Sequence, residues 1–394
     1  MNAGKRPPRP YLLDVSRLVW RGWGTRQPTG IDRVCRAYLA HFATRASAVL
    51  QWRGHRLVLD ARETETLAAM LLDEGTLLDR KRLALLAARA LASAAYRRDD
   101  HAGRILLNVG HTGLDNPSLP GWIATHALNA VFLIHDLIPI THPEFCREGE
   151  DMRHRARIRQ ALQCASGLVL NSSATRDALT SFARDERLAL PPHCIAHLGI
   201  APPEPNGDIA LPAEPYFLIV GTIEGRKNHV LLLDCWDRLR ARLGEATPSL
   251  VIVGQRGWQA QPVFERLDRD PASAGRVIEQ GPCSDDRLAA LLAGARALLM
   301  PSHAEGYGLP VVEALASGTA VIASDLPVYR EIAGGIPCLV DPADTSAWVT
   351  AVLDHLHHGP DARRQHAALP GYRAPAWSEH FAALESWLAL RIAH

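Results

Sequence analysis

Several things are scarce or missing in this chain, and each narrows what it can be. Lysine is nearly absent: Lys5, Lys81 and Lys227 are all there is, and arginine carries the remaining positive charge, a compositional habit rather than a functional signal. No apolar run approaches the roughly 18 residues that a membrane span needs, and mean hydropathy is −0.06. The start, MNAGKRPPRPYLLDVS, is basic but lacks an apolar stretch of roughly 7–15 residues, so a secretory leader is not expected and a cytoplasmic protein is. Seven cysteines (Cys35, Cys146, Cys164, Cys194, Cys235, Cys283 and Cys338) include no C-x-x-C pair, and their number is odd. A disulfide framework and a zinc site are therefore not expected. The first strand is followed by WRGWGTRQPTG rather than G-x-G-x-x-G, so NAD binding is not expected either. There is no P-loop, no Ser-His-Asp set, no internal repeat and no low-complexity segment.

What is present is an ordinary globular mixture. The 394 residues are 47% apolar and 22% charged, enough for a sizeable core and two or three domains. The net charge of +1 hides an asymmetry: residues 1–200 hold 27 Lys+Arg against 19 Asp+Glu, a balance of +8, and the remainder stands at −7. Such a split suggests two domains with different partners. The basic half suits an anionic membrane, an anionic acceptor or nucleic acid, or is simply a solvated arginine-rich surface.

Short apolar runs alternate with amphipathic stretches. YLLDVS (11–16), ILLNVG (105–110), AVFLIHD (130–136) and GLVLNSS (167–173) read as strands, with helices over 31–42, 80–98 and 152–165. A Pro-rich break covers 201–215. The alternation then restarts with YFLIVG (216–221), SLVIVG (249–254), RVIEQG (276–281), ALLMPS (297–302), AVIAS (320–324) and CLVD (338–341). An amphipathic helix is expected over 376–394. This pattern predicts an α/β fold with two Rossmann-like domains, 1–204 and 211–374, facing each other across a cleft. The final helix, 375–394, is expected to pack back on the first domain. Ligands of open parallel sheets sit beyond the carboxyl ends of the strands, so the loops there are where chemistry belongs.

The most informative stretch is PSHAEGYGLPVVEALASGTAVIAS (301–324). Glu305 lies in a loop, Gly306 and Gly308 follow, Leu309 and Pro310 open a helix, and Glu313 stands one turn inside it. Glycines let backbone N–H groups approach a phosphate, and a helix N-terminus adds positive potential. A carboxylate there can accept hydrogen bonds from sugar or ribose hydroxyls, or can simply cap the helix. GTIEGRKN (221–228) places Arg226 and Lys227 where a helix starts, the electrostatically wrong end for cations unless an anion binds there. His135 closes a strand whose end should face the cleft. The bland alternative is a histidine satisfied by Asp136 or by backbone. Gly30 in PTGIDRV (28–34) precedes another helix, and Asp32 there is either a cap or an acceptor contact. Asp268 and Asp270 form a D-x-D pair, but at a helix end, so no metal role is expected.

The string E-G-x-G-L-P-x-x-E resembles the E-x7-E element of the family-4 retaining glycosyltransferases of the GT-B fold. GTIEGRKN, VIVGQRGW (251–258), IHDLIPITHPE (134–144) and GLVLNSSAT (167–175) are similar to other elements of that family. The IHDLIP…HPE and PTGIDRV pair is most similar to bacterial O-antigen mannosyltransferases that use GDP-mannose. The resemblance implies transfer of a hexose from a nucleoside-diphosphate sugar, with retention, to a glycan hydroxyl, without a cofactor or metal. Arg226 and Lys227 would neutralise the diphosphate and Glu313 would bind ribose. Glu305 would hold the donor sugar, and His135 would contact its hydroxyls. Gly30, Thr222, Gly306, Tyr307, Gly308 and Leu309 would line the donor, and Gln255, Arg256 and 282–284 would surround the base. Thr222 and Gly225 depart from the family pattern, which often has a basic residue and a proline there. The expected acceptor is a lipid-linked oligosaccharide of a cell-surface polysaccharide; the +8 balance of the first half suits peripheral contact with an anionic membrane, and no nucleic-acid partner is expected. A UDP-sugar donor, an epimerase on the same fold and a non-catalytic nucleotide-sugar-binding protein are the alternatives.

Overall fold

The computed structural model describes residues 9–24, 29–73, 79–94, 101–201, 209–269 and 276–391. The first sheet contains β1 (Tyr11–Asp14), β2 (Ala46–Trp52), β3 (His55–Val58), β4 (Ile105–Asn108), β5 (Asn129–Ile134), β6 (Gly167–Leu170) and β7 (His193–Ile195). Their spatial order is β3-β2-β1-β4-β5-β6-β7, and β3 alone runs antiparallel to its neighbour. The second sheet is entirely parallel: β8 (Tyr216–Val220), β9 (Ser249–Val253), β10 (Val277–Glu279), β11 (Leu298–Met300), β12 (Val321–Ser324) and β13 (Cys338–Val340). Its order is β10-β9-β8-β11-β12-β13. Helices cover both faces of such sheets, so inner strands such as ILLN and SLVIV are apolar along their length and buried throughout.

Both sheets reverse their order at one strand, β1 in the first and β8 in the second. A crevice opens beyond the carboxyl ends at such a switch point. The loops after β8 and β11 flank it in the second domain, and those after β1, β4 and β5 flank its counterpart in the first. The helix Trp377–Arg391 lies on the first domain: His380 Nε2 meets Tyr38 OH at 2.8 Å, and Phe381 stacks on His41 at 3.9 Å. One apolar cluster runs from Tyr38 and Leu133 through Tyr307 and Leu218 to Phe381, so the two sheets and this helix share a core.

Besides helices that the sequence reading left out, such as Thr345–Leu356 and Pro360–Ala368, three elements differ from the sequence expectation. The first strand stops at Asp14, and a helix over Ser16–Trp23 begins almost at once. Residues 46–58 form a hairpin whose turn, Arg53-Gly54, has positive φ at both positions (47° and 87°), the geometry of a tight hairpin turn. The third is β7, a three-residue edge strand too short to show periodicity. The part of 80–98 beyond Ala94 and the part of the Pro-rich break at 202–208 lie outside the described residues.

Candidate active site at the interdomain cleft

The loop after β8 carries the cations. A short 3-10 turn, Gly225–Lys227, precedes Asn228, whose φ of 55° turns the chain into the helix His229–Leu243. Arg226 is gripped on three sides. Its Nε and Nη2 donate to Glu224 Oε1, and its Nη1 donates to Ala304 O at 2.7 Å and pairs with Glu305 Oε2 at 2.8 Å. Lys227 Nζ donates to Glu305 Oε1 at 2.5 Å, leaving two of its protons for a ligand. The lysine stem passes over Gly221, where a Cβ would come within 3.3 Å of Lys227 Cε. The neighbouring loop 254–259 braces this one: Ile223 N bonds Gln255 O and Gly225 N bonds Trp258 O. Thr222 sits in the same brace, against Gly257.

Glu305, at the end of the loop after β11, is the hub. Besides both cations it accepts from Ser302 Oγ at 2.8 Å. Burial alone would raise its pKa, but Arg226 and Lys227 outweigh that and hold the carboxyl at about 2. Two cations and two carboxylates, Glu224 and Glu305, therefore form a balanced buried cluster. An isolated charge here would be costly, and removing one partner of such a buried pair typically costs about 3–5 kcal/mol.

Beyond Glu305 the chain turns sharply. Gly308 adopts φ 100° and caps the helix Leu309–Ala316, and a Cβ there would strike Tyr329 Cε1 at 2.5 Å. A Cβ on Gly306 would meet His135 O at 2.5 Å. The glycines are thus required by close approach, and Gly306 touches the opposite domain. Tyr307 donates its hydroxyl to Leu198 O of the first domain at 3.0 Å. Glu313, one turn into the helix, is 3% exposed. Its Oε1 lies 2.5 Å from Arg33 Nη1 of the first domain, an ion pair that lacks hydrogen-bond alignment. Burial raises its pKa and Arg33 opposes the rise.

The first domain presents a different wall. His135 Nε2 lies 2.8 Å from Val109 O, and since a carbonyl only accepts, the proton belongs on Nε2 and Nδ1 is left as an acceptor. His111 Nε2 bonds Leu133 O and His154 Nε2 bonds Asp136 O in the same way, with ring centroids 5.2 and 5.9 Å from one to the next. Burial lowers the pKa of His135 to about 4, so it is neutral at physiological pH. Asp32 is a helix cap: it completes the capping box of Gly30–Phe42 with Thr29 and pairs with Arg17 and Arg21. Of its two sequence readings, the cap is the one observed. Gly30 faces the second domain, and a Cβ there would reach Leu309 Cδ1 at 3.4 Å.

The domains are drawn together by further polar contacts. Glu331 accepts from the backbone N–H of Ser173 and Ala174 at the start of a first-domain helix, and pairs with His197. Phe145 stacks on His303 at 4.8 Å, and Trp258 Nε1 donates to Phe145 O. Cavities of 230 Å³, beside Trp236 and Arg266, and 390 Å³, beside His197 and Arg373, lie away from Arg226, Lys227 and Glu305.

The structure thus gathers Arg226, Lys227, Glu305 and the Gly306–Leu309 turn around one point, with His135 and Gly30 opposite and Glu313 behind. Glu305 is engaged by Lys227, Arg226 and Ser302 and fixes both cations in place. Arg256 pairs with Asp268 and Glu279. Asp268 is occupied by that pair, and Asp270 lies outside the described residues. Sequence reading missed Arg33, Glu224 and Ser302. Arg33 had a signal, standing three residues after Gly30, but the ion pair that gives it meaning spans 280 positions of sequence.

Comparison with known proteins bears on this geometry. Residues 214–358 match the family described as "Glycosyl transferases group 1". The serotype-specific mannosyltransferase WbdA of Escherichia coli is 31% identical over 52% of this chain and 27% of its own length. The O-antigen chain mannosyltransferase B of Escherichia coli is 27% identical over 60% of this chain and 64% of its own. The chain thus spans about a quarter of WbdA. Among solved structures, sucrose-phosphate synthase from Thermosynechococcus elongatus superposes with a TM-score of 0.64 at 17% identity, covering 98% of this chain and 99% of that one. Anabaena HepE in complex with UDP-glucose gives 0.62 at 16%, over 96% and 99%. The two-domain arrangement is the GT-B fold.

Proposed function

We propose that this chain, whose second domain is a glycosyl transferases group 1 domain, moves a hexose from a nucleoside-diphosphate sugar to a glycan hydroxyl with retention of configuration. Mannose from GDP-mannose is the preferred donor, and the acceptor belongs to a cell-surface polysaccharide such as an O-antigen. The names of the mannosyltransferase relatives support mannose as the sugar.

The observation that carries the reading is the clamp of Arg226 and Lys227 on Glu305 beneath a glycine turn and a helix N-terminus. Negative charge grows on a departing diphosphate as the glycosidic bond breaks. Cations fixed beforehand stabilise it without reorganising. Arg226 is held rigid by two carboxylates and Lys227 keeps two donors free. The backbone N–H groups at the start of Leu309–Ala316 add their dipole. In this reading Glu313 binds the ribose diol, and His135 offers a neutral acceptor to sugar hydroxyls. No carboxylate faces the sugar as a nucleophile in this reading. A leaving phosphate oxygen takes the acceptor proton, and the protein contributes position and charge. In this reading the donors of Arg226 and Lys227 meet the diphosphate oxygens in the place a metal ion would otherwise take.

The test is transfer from GDP-mannose to a lipid-linked saccharide in EDTA, with the product's anomeric configuration read by NMR. An α-linked product from the α-donor is expected. Transfer from a UDP-sugar alone would replace the donor. An inverted product would remove the mechanism, and nucleotide binding without transfer to any acceptor would leave a binding protein.

A further inference from the structure

Two basic helices of the first domain differ in how their charge is spent. In Glu150–Cys164, Arg155 and Arg159 pair with Glu186, and Arg153 and Arg157 with Glu150. That helix is neutralised within the protein. In Arg80–Ala94 there is no acidic residue, and Lys81, Arg82 and Arg89 have no carboxylate partner among the described residues; the carboxylate of Asp79, just before the helix, accepts from the backbone N–H of residues 81 and 82.

The same helix is apolar on both sides. Leu83, Leu86 and Ala90 face the core. Leu85 and Leu91 are 54% and 61% exposed, and Ala84, Ala88 and Ala92 are exposed between them. At 100° per residue these five fall on one outward arc, with Lys81 inside it, Arg80 on one flank and Arg82 and Arg89 on the other. A soluble surface helix would put charge along that arc.

This helix joins an aromatic rim. Arg80 donates to Trp23 O at 2.6 Å and lies 5.6 Å from the Trp23 ring centroid. Trp20 bonds Gln51 O, beside Trp52. Trp20, Trp23 and Trp52 are the large aromatic side chains left exposed among the described residues. All three stand at the carboxyl end of the first sheet, on the helix after β1 and at the end of its parallel neighbour β2, the edge that faces the cleft.

We infer that the outward face of Arg80–Ala94, with the rim of Trp20, Trp23 and Trp52, is a docking surface for an anionic lipid bilayer, and that it sets the cleft mouth at the membrane. Leucine and alanine enter the headgroup boundary, tryptophan occupies the interface, and unpaired cations meet lipid phosphates. The proposal rests on the functional reading only in giving the surface a purpose, delivery of a lipid-linked acceptor.

The experiment is flotation of the full chain with vesicles of phosphatidylcholine, with and without about one-third phosphatidylglycerol, at low and high salt; it uses neither donor nor acceptor, so it stands or falls apart from the transfer reaction. Each cation near such a surface is worth roughly 1 kcal/mol, or about fivefold. Binding is expected on anionic vesicles, weaker in high salt. The triple variant K81Q, R82Q, R89Q should lose on the order of a hundredfold, and L85S with L91S should also lose binding. Circular dichroism and GDP-induced thermal stabilisation should stay as in the parent. Equal binding to both vesicle types, none to either, or unchanged binding by both variants would overturn the proposal. Tryptophan quenching by a soluble mannan oligosaccharide, with no vesicle response, would also overturn it and make the rim a glycan platform.

Discussion

The two walls of the cleft solve different electrostatic problems. The second domain concentrates charge: Arg226, Lys227, Glu224 and Glu305 are buried together and neutralise one another. In the first domain the imidazoles are uncharged, His111 and His135 being held neutral by burial with their ring N–H groups on backbone carbonyls, while the charge there is spent in the pairs of Asp32 with Arg17 and Arg21. A cluster of fixed charges suits a diphosphate leaving group. A neutral wall with acceptor nitrogens suits sugar hydroxyls. The family match falls on the charged side, residues 214–358.

Breaking the charged wall should have the largest effect. Lys227→Ala should lower turnover about a hundredfold or more, because the lost cation acts where charge develops. Glu305→Gln should do comparable damage by releasing both cations. Steady-state kinetics checks both, and turnover within twofold of the parent would contradict the clamp.

Glu313 belongs to the second domain but its cation, Arg33, comes from the first. Arg33→Ala should raise the donor KM about tenfold with kcat little changed, the mark of lost ground-state binding. Arg33→Lys should recover part of it. A kcat effect without a KM effect would remove Arg33 from donor binding.

A substitution in the neutral wall should cost less. His135→Gln keeps a polar group against Val109 O and should reduce turnover by about fivefold to tenfold, the scale of one hydrogen bond. A hundredfold loss would mean the imidazole does more than accept.

The smallest effect is on stability against pH. Burial lowers the pKa of His135 and His380 to about 4 and of His229 to about 3, from 6.5. The unfolded chain therefore takes up protons that the folded one refuses, and stability falls as pH drops from about 6.5 toward 4. Asp14, raised by burial to about 6, and Glu313, also raised by burial, work the other way, but burial lowers six imidazoles, those of His111, His135, His229, His303, His355 and His380. Glu305, held at about 2, loses its contribution only between about 4.5 and 2. Calorimetry should show Tm falling from pH 7 to pH 5. A rising Tm would reverse the assignment of the buried imidazoles.

The same contrast explains what the sequence disclosed. The parallel strands were legible because burial on both faces demands apolar runs such as YFLIV and VIAS, and the switch-point loops follow from strand order. The hairpin 46–58 was hidden because its turn residues, Arg53-Gly54, are not a common turn pair. In the charged wall, Arg226, Lys227 and Glu305 were conspicuous as cations at a helix start and a carboxylate before paired glycines. Their mutual saturation was not, since 78 residues separate Lys227 from Glu305 along the chain. In the neutral wall, His135 is one of 18 histidines. What marks it is a bond to Val109 O, which no spacing rule supplies.

The most direct test of the charged wall is calorimetric titration of GDP into the parent chain and into Lys227→Ala, both in EDTA. The account predicts metal-independent binding by the parent, weakened at least tenfold in the variant. Equal affinity in the two proteins, or binding that requires a divalent ion, would contradict it.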